Sequence, residues 1–352
     1  LFKVKENMKF DAVVGNPPYQ IMDGSGGQGS SAKPIYNFFV NSAKRLNPNT
    51  ISIIIPTRWF AGGKGLDRFR QTMLNDINIA ELHDFLDPNL IFPNTNIRGG
   101  VCFFIWNNNY NNTLNPTKIY TYTKSLTPLI SKRNLKSDNI DIFIRHTVAV
   151  DILNKIIKTK EFKSFENHVS SRKPFGLDST FIGSSHFKTN KKGLKNPITC
   201  YARRQTKGYI EKDNYNFDKI LLKSYKVLAP FANNIGTELN DDNLNAFLAE
   251  PNSVCTETYI ILGINLRLDK NSAKNVISYF KTKFARFLHS LAKSNQNGTS
   301  KTYKFVPLQD FTTNSDIDWT KSIPEIDLQL YKKYKLTTEE IEFIENMIKP
   351  MD

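Results

Sequence analysis

The tetrapeptide Asn16-Pro17-Pro18-Tyr19 stands directly after an apolar run, residues 10–15 (Phe-Asp-Ala-Val-Val-Gly). Two prolines cannot continue a sheet ladder, so the chain leaves the sheet at this corner. Proline fixes its own φ and drives the preceding residue into an extended conformation. Two oxygens, the Asn16 side-chain carbonyl and the Pro17 backbone carbonyl, are thereby held ready before any substrate arrives. A pair of fixed acceptors suits a substrate amine with two hydrogens. The exocyclic amine of adenine is a poor nucleophile because its lone pair is delocalised into the ring. Accepting both hydrogens favours a pyramidal nitrogen and frees that lone pair, and acceptors fixed in advance lower the barrier by preorganisation. The amine becomes cationic as it accepts a methyl group and loses its proton afterwards, so no general base is needed before attack. Tyr19 offers a flat face for a stacked base, and a base paired inside a duplex must first be extruded.

The elements that position this corner follow from hydrophobic periodicity. Residues 10–15 are expected to form a short buried strand. Residues 34–46 are expected to form a helix with Ile35, Phe38, Phe39, Ala43 and Leu46 on its apolar face, and Pro34 suits its first turn. Strands are expected over 51–55, 79–85, 101–106 and 119–122, with a short helix over 66–75. Strands alternating with helices indicate an α/β sheet. Beyond about residue 130 the alternation fades. A helix is expected over 148–157, a strand-like core over 259–263 and one long helix over 272–292. Thr337-Thr338-Glu339-Glu340 reads as a capping box opening a C-terminal helix.

The bulk numbers narrow the partners. Over 352 residues, 39% hydrophobic, the formal net charge is +15 and the pI is about 9.5. Such an excess points to a polyanion, because each neutralised phosphate releases counterions. Most of it lies in residues 151–310. Arg172, Lys173, Lys191, Lys192, Arg203, Arg204 and Lys207 cluster there in loop-like sequence interleaved with Phe187, Tyr201 and Tyr209. Loops of this kind grip phosphates and read base edges. Lys281, Lys283, Arg286 and Lys293 flank the expected 272–292 helix either as a phosphate-facing stripe or as a wet face. The three cysteines, Cys102, Cys200 and Cys255, form no C-x-x-C pair, and the five histidines show no ligand spacing, so neither a disulfide framework nor a metal site is expected. No apolar run is long enough to span a bilayer and no signal peptide is recognisable, so no membrane partner and a cytoplasmic location are expected.

At the Asn16-Pro17-Pro18-Tyr19 corner the chain resembles the γ-class amino-methyltransferases that use S-adenosylmethionine, especially the large type II (IIG-like) restriction–modification enzymes. The resemblance is good over residues 8–125 and looser beyond. It implies that the corner follows the fourth strand of a Rossmann-like sheet, that Asn16 and Pro17 bind the target amine, and that Tyr19 stacks on the base. An Asn at the first position implies adenine rather than cytosine. Leu90-Ile91-Phe92-Pro93, followed by Gly99-Gly100-Val101, resembles a later motif whose aromatic packs on the flipped base, which makes Phe92 that aromatic. The fold it implies is α/β: residues 1–130 as the C-terminal part of a methyltransferase domain, and 131–352 as a mixed α/β target-recognition domain that binds double-stranded DNA.

The family's cofactor fingerprint, a glycine-rich turn after the first strand and then an acidic residue, should precede the corner by many tens of residues, whereas fifteen residues precede Asn16. The cofactor half is therefore expected upstream of Leu1 or on another chain, and the fragment alone is expected to be inactive. Gly24-Ser25-Gly26-Gly27-Gln28-Gly29 matches G-x-G-x-x-G literally, but no strand leads into it and no acidic residue follows at the expected distance. It reads instead as a loop beside the active site. Asp151 with Glu161-Phe162-Lys163 loosely matches a nuclease motif, but Asp151 opens a helical run rather than a strand. A restriction nuclease, fused or separate, is the other partner implied. Two alternatives stay open: a non-catalytic DNA-binding specificity module, and a relative acting on RNA or on protein glutamine.

Overall fold

The structure, a computed structural model, describes residues 9–21, 32–95, 97, 99–235, 242–293, 296–349 and 351. The chain divides into two compact units, Leu1–Val150 and Asp151–Asp352. The division lies beyond the residue-130 boundary expected from the fading alternation, because Leu135 and Phe143 still pack into the first unit's core.

The first unit contains β1 (Ala12–Gly15), β2 (Gln20–Ile21), β3 (Lys33–Pro34), α1 (Tyr36–Arg45), β4 (Thr50–Pro56), α2 (Asp67–Leu74), β5 (Ile79–Phe85), β6 (Val101–Asn107), β7 (Lys118–Tyr122) and β8 (Leu129–Lys132). Six of these strands form one mixed sheet in the order β1-β4-β6-β5-β7-β8. β1 runs parallel to β4 and β5 parallel to β7, while β6 is antiparallel to both neighbours. Alternation sends Ile51, Ile53, Ile55, Leu82, Cys102, Phe104 and Ile119 to one face, where the buried residues of α1 and α2 join them in one core. The expected α/β class is the class observed.

Two local expectations are corrected here. The strand over residues 10–15 was expected to be buried; β1 instead pairs with β4, Val13 packs on the core, and Val14 on the opposite face is 77% exposed. In α1 the buried residues are Tyr36, Val40 and Ala43, while Phe38, Phe39 and Leu46 are exposed. The i, i+4, i+7 row starting from the bulky Tyr36 wins the core, so the helix is turned from the expected face.

A helix, α3 (Thr147–Ile157), contains the point of division. The second unit continues with β9 (Pro197–Tyr201), β10 (Lys207–Glu211), α4 (Lys219–Lys223), β11 (Lys226–Pro230), β12 (Phe247–Ala249), β13 (Ser253–Cys255), β14 (Tyr259–Leu262), α5 (Lys270–Lys281), α6 (Lys283–Leu291), α7 (Ile323–Lys333) and α8 (Thr338–Met347). Two three-stranded sheets, β10-β9-β13 and β12-β11-β14, share a core that includes Ile198, Cys200, Ile210, Leu228, Val254 and Ile261. The basic stretch expected to be loop-like thus contains an antiparallel hairpin, β9–β10. The capping box that opens α8 is present, with Thr337 and Glu340 each accepting the other's backbone N–H.

The single long helix expected over 272–292 is broken. Thr282 leaves the helical region (φ −62°, ψ 147°), and its hydroxyl accepts from Ala285 N at the start of α6. The buried Asp327 carboxylate accepts from Lys283 N and Phe284 N, both at 2.9 Å. A threonine cap and a carboxylate at a helix N-terminus satisfy orphan N–H groups, which compensates for interrupting the helix. The flanking cations do not form a free stripe. Lys283 pairs with Glu345, Arg286 is 3% exposed and donates to Lys349 O, and Lys293 donates to Asn233.

Candidate active site

At the end of β1 the backbone turns through Asn16-Pro17-Pro18-Tyr19 and re-enters a short ladder, β2 pairing with β3. Ile35 N donates to Tyr19 O at 3.1 Å, tying the corner to the entry of α1. Asn16 and Pro18 are exposed, and Pro17 and Tyr19 are half-buried. The corner is thus open to solvent with its far end anchored. Asn16, Pro17, Pro18, Tyr19 and Gln20 form one wall of an open cleft of about 380 Å³, and Phe92, Thr95 and Ile97 form the other. That volume suits a small planar ligand, since small-molecule clefts run to roughly 300–1,000 Å³. The structure therefore brings the corner and Phe92 to one cleft. Thr95, Ile97 and Gln20 join them without having been legible in the sequence. The loop over residues 24–29 lies outside the described residues.

The Phe92 wall belongs to the connection between β5 and β6, which is pinned at both ends. At its start Asp87 accepts from Asn89 N at 2.9 Å, and Phe92 N donates to Pro88 O at 2.8 Å. At its end Thr57 N donates to Gly100 O at 3.1 Å, while the Thr57 hydroxyl and Arg145 Nη2 both donate to Gly99 O. Gly100 has φ +95°, and a Cβ there would meet Phe85 O at 2.5 Å. Only glycine fits this close crossing.

Arg145 is itself held. Its Nε lies 3.4 Å from Asp84 Oδ2, its Nη2 donates to Thr57 Oγ1 at 2.6 Å, and its guanidinium lies over the Phe60 ring at 5.2 Å. Asp84 is fully buried on β5, and among the described residues neither of its oxygens has a hydrogen-bond partner. Burial pushes its carboxyl up to about 6, against the opposing pull of Arg145. The neighbouring Cys102, which faces Asp84 across the ladder, is raised by its own burial and then by Asp84. The Tyr19 hydroxyl is buried with no hydrogen-bond partner among the described residues, and burial pushes it up to about 12. Tyr19 therefore stays neutral. The signal available for Asp84 was an acid two residues from Leu82, on the same inward-facing side of β5, and it was not singled out from the sequence.

Residues 1–92 match the Eco57I restriction-modification methylase family. This Eco57I-like stretch ends at Phe92, so it carries both walls' aromatic residues. An uncharacterized adenine-specific methylase of Mycoplasma pneumoniae (strain ATCC 29342 / M129 / Subtype 1) is 38% identical over 165 residues. That alignment takes in 45% of this chain and 39% of the relative, so the chain spans about two fifths of that protein's length. Among solved structures, the type IIL restriction-modification enzyme MmeI in complex with DNA aligns over 96% of this chain and 55% of its own, with 10% identity and TM-score 0.45. The type IIG restriction endonuclease BpuSI aligns over 96% and 53%, with 13% identity and TM-score 0.36.

The basic residues of the second unit fall into two groups. Arg172 pairs with Glu257 at 3.2 Å and lies over the Phe231 ring, and Lys173 pairs with Asp178. These two are engaged within the molecule and are weaker candidates for an outside anion. Lys191 and Lys207 lie over the Tyr209 and Tyr201 rings at 5.2 and 5.5 Å. Among the described residues no carboxylate stands within ion-pair distance of Lys191, Lys192, Arg203, Arg204 or Lys207. All five are exposed. Among the described residues no helix is long and apolar enough to cross a membrane.

Proposed function

We propose that the chain is the catalytic-corner and recognition part of an S-adenosylmethionine-dependent DNA adenine-N6 methyltransferase of a restriction–modification system. The observation that carries this reading is the open cleft between the proline corner and Phe92. Asn16, Pro17 and Tyr19 line it together with Phe92. Asn16 and Pro17 accept the two hydrogens of the adenine amine, and Tyr19 and Phe92 clamp the extruded ring. S-adenosylmethionine supplies the methyl group. The acceptor set present fits the amine half of the reaction, and the residues that hold the cofactor are proposed to come from a preceding segment or another chain. The second unit is proposed as the target-recognition domain that grips duplex DNA through Lys191, Lys192, Arg203, Arg204 and Lys207, with Arg172 and Lys173 at its margin. A restriction nuclease, fused or separate, and a cytoplasmic location belong to the same reading.

The test is transfer of tritiated methyl groups from S-adenosylmethionine to duplexes by the full-length protein. Label in N6-methyladenine, lost when adenine is replaced within the recognised site, supports the proposal. Specific DNA binding with no transfer would instead support the non-catalytic specificity module, and label in RNA or protein would redirect the substrate.

A further inference from the structure

The β9–β10 hairpin closes through a tight turn whose residues do not suit it. Thr206 N donates to Arg203 O at 3.2 Å and Ala202 N to Thr206 O at 2.8 Å. Between them Arg204 has φ 57° and ψ 37°, and Gln205 has φ 56°. Two successive left-handed residues characterise the mirror-image hairpin turns, where Asn-Gly is strongly favoured because Cβ-bearing residues are strained. Arg-Gln is a poor choice for this backbone. Residues 203–207 are all exposed, so packing of their side chains does not repay the strain.

The strain is held from beneath by one buried group. Tyr259 on β14 is 2% exposed, and its hydroxyl donates to Ala202 O at 3.0 Å and accepts from Gln205 N at 2.7 Å. One phenol thus ties both sides of the turn to the core. The flanking Lys207 lies over Tyr201 and supplies positive charge beside the tip. Conformational strain kept at an exposed tip by a dedicated anchor is a mark of function.

The two residue types at the tip name the ligand. Arginine forms a bidentate pair with guanine O6 and N7, and glutamine with adenine N6 and N7. The major groove admits a two-stranded β-ribbon. We propose that the β9–β10 tip enters the major groove of duplex DNA, where Arg204 reads a guanine and Gln205 an adenine, with Tyr259 as the positioning residue. The inference rests on the DNA reading given above and adds that the recognised site contains a guanine and an adenine specified by this turn.

The experiment measures methyl transfer by the full-length protein on duplexes randomised across the recognised site, with thermal midpoints recorded for each variant. Arg204→Ala should lose preference for guanine at one position, and Gln205→Ala preference for adenine at another, each by roughly ten- to a hundred-fold. Tyr259→Phe should flatten both positions together while leaving the two readers in place. The double change Arg204→Asn with Gln205→Gly should raise the melting temperature, because those residues suit the turn, while erasing the same two preferences. Midpoints that rise with an unchanged sequence profile would overturn the proposal, since the turn would then be structural only. A wild-type protein that shows no sequence preference on DNA would defeat the underlying DNA reading and this inference with it. A retained profile in the variants defeats this inference alone.

Discussion

Asp84 and Arg145 form an ion pair, with Nε 3.4 Å from Oδ2, in which the acid is fully buried and the base is only partly so. Through Thr57 and Gly99 the pair reaches the end of the connection that carries Phe92. Replacing Asp84 by Asn leaves Arg145 without its counter-charge and loosens that wall. Methyl transfer is expected to drop on the order of 10- to 100-fold, as small misplacements near a reacting centre do. Steady-state kinetics of the full-length variant check it.

The same carboxyl gives a stability signature. Its folded pKa, about 6, lies above the unfolded value near 4. The native state therefore binds the proton more tightly, and this group's contribution to stability is greatest below about 4 and is lost as pH rises through about 6. Asp84→Asn is expected to flatten the slope of unfolding free energy between about pH 4 and 6. Urea titrations across that range compare the two proteins.

Gly100→Ala places a methyl 2.5 Å from Phe85 O at a positive φ. The unfolding free energy is expected to fall by roughly 2 kcal/mol or more, since both a clash and a strained backbone result. Gly99→Ala meets no atom within 4 Å but keeps a strained φ of +89°, so a smaller loss is expected. Chemical denaturation of both variants ranks them.

Tyr19 carries a buried hydroxyl that has no hydrogen-bond partner among the described residues. Removing it in Tyr19→Phe is expected to be neutral or slightly stabilising, because an unsatisfied polar group is unfavourable when buried. Transfer should be nearly preserved. Tyr19→Ala removes the ring and is expected to weaken capture of the extruded base by about 1–3 kcal/mol, the usual size of base–aromatic stacking. Binding to duplexes carrying a fluorescent adenine analogue separates the two.

Much of the first unit was legible because its strands are short apolar runs closed by Gly, Pro and Asn. The turn of the chain out of the sheet at the corner was legible because two prolines cannot continue a ladder. Burial was less legible. Val13 and Val14 look alike in sequence, yet one packs on the core and the other faces the solvent, and only the sheet order decides which. The break at Thr282 was hidden because Asp327, which satisfies the new helix start, is distant in sequence. Asp84 was missed for a similar reason, since its partner Arg145 belongs to a segment that sequence patterning leaves unassigned. The Arg204-Gln205 tip was hidden because nothing local signals a hairpin turn there, and its anchor Tyr259 lies on another strand.

The most direct test of the proline corner is Asn16→Ala in the full-length protein, assayed in parallel for methyl transfer to adenine and for duplex affinity. Loss of transfer with affinity kept within a few-fold is the expected result. Turnover that persists without the Asn16 carbonyl would contradict the role given to that oxygen and, with it, the reading of the cleft.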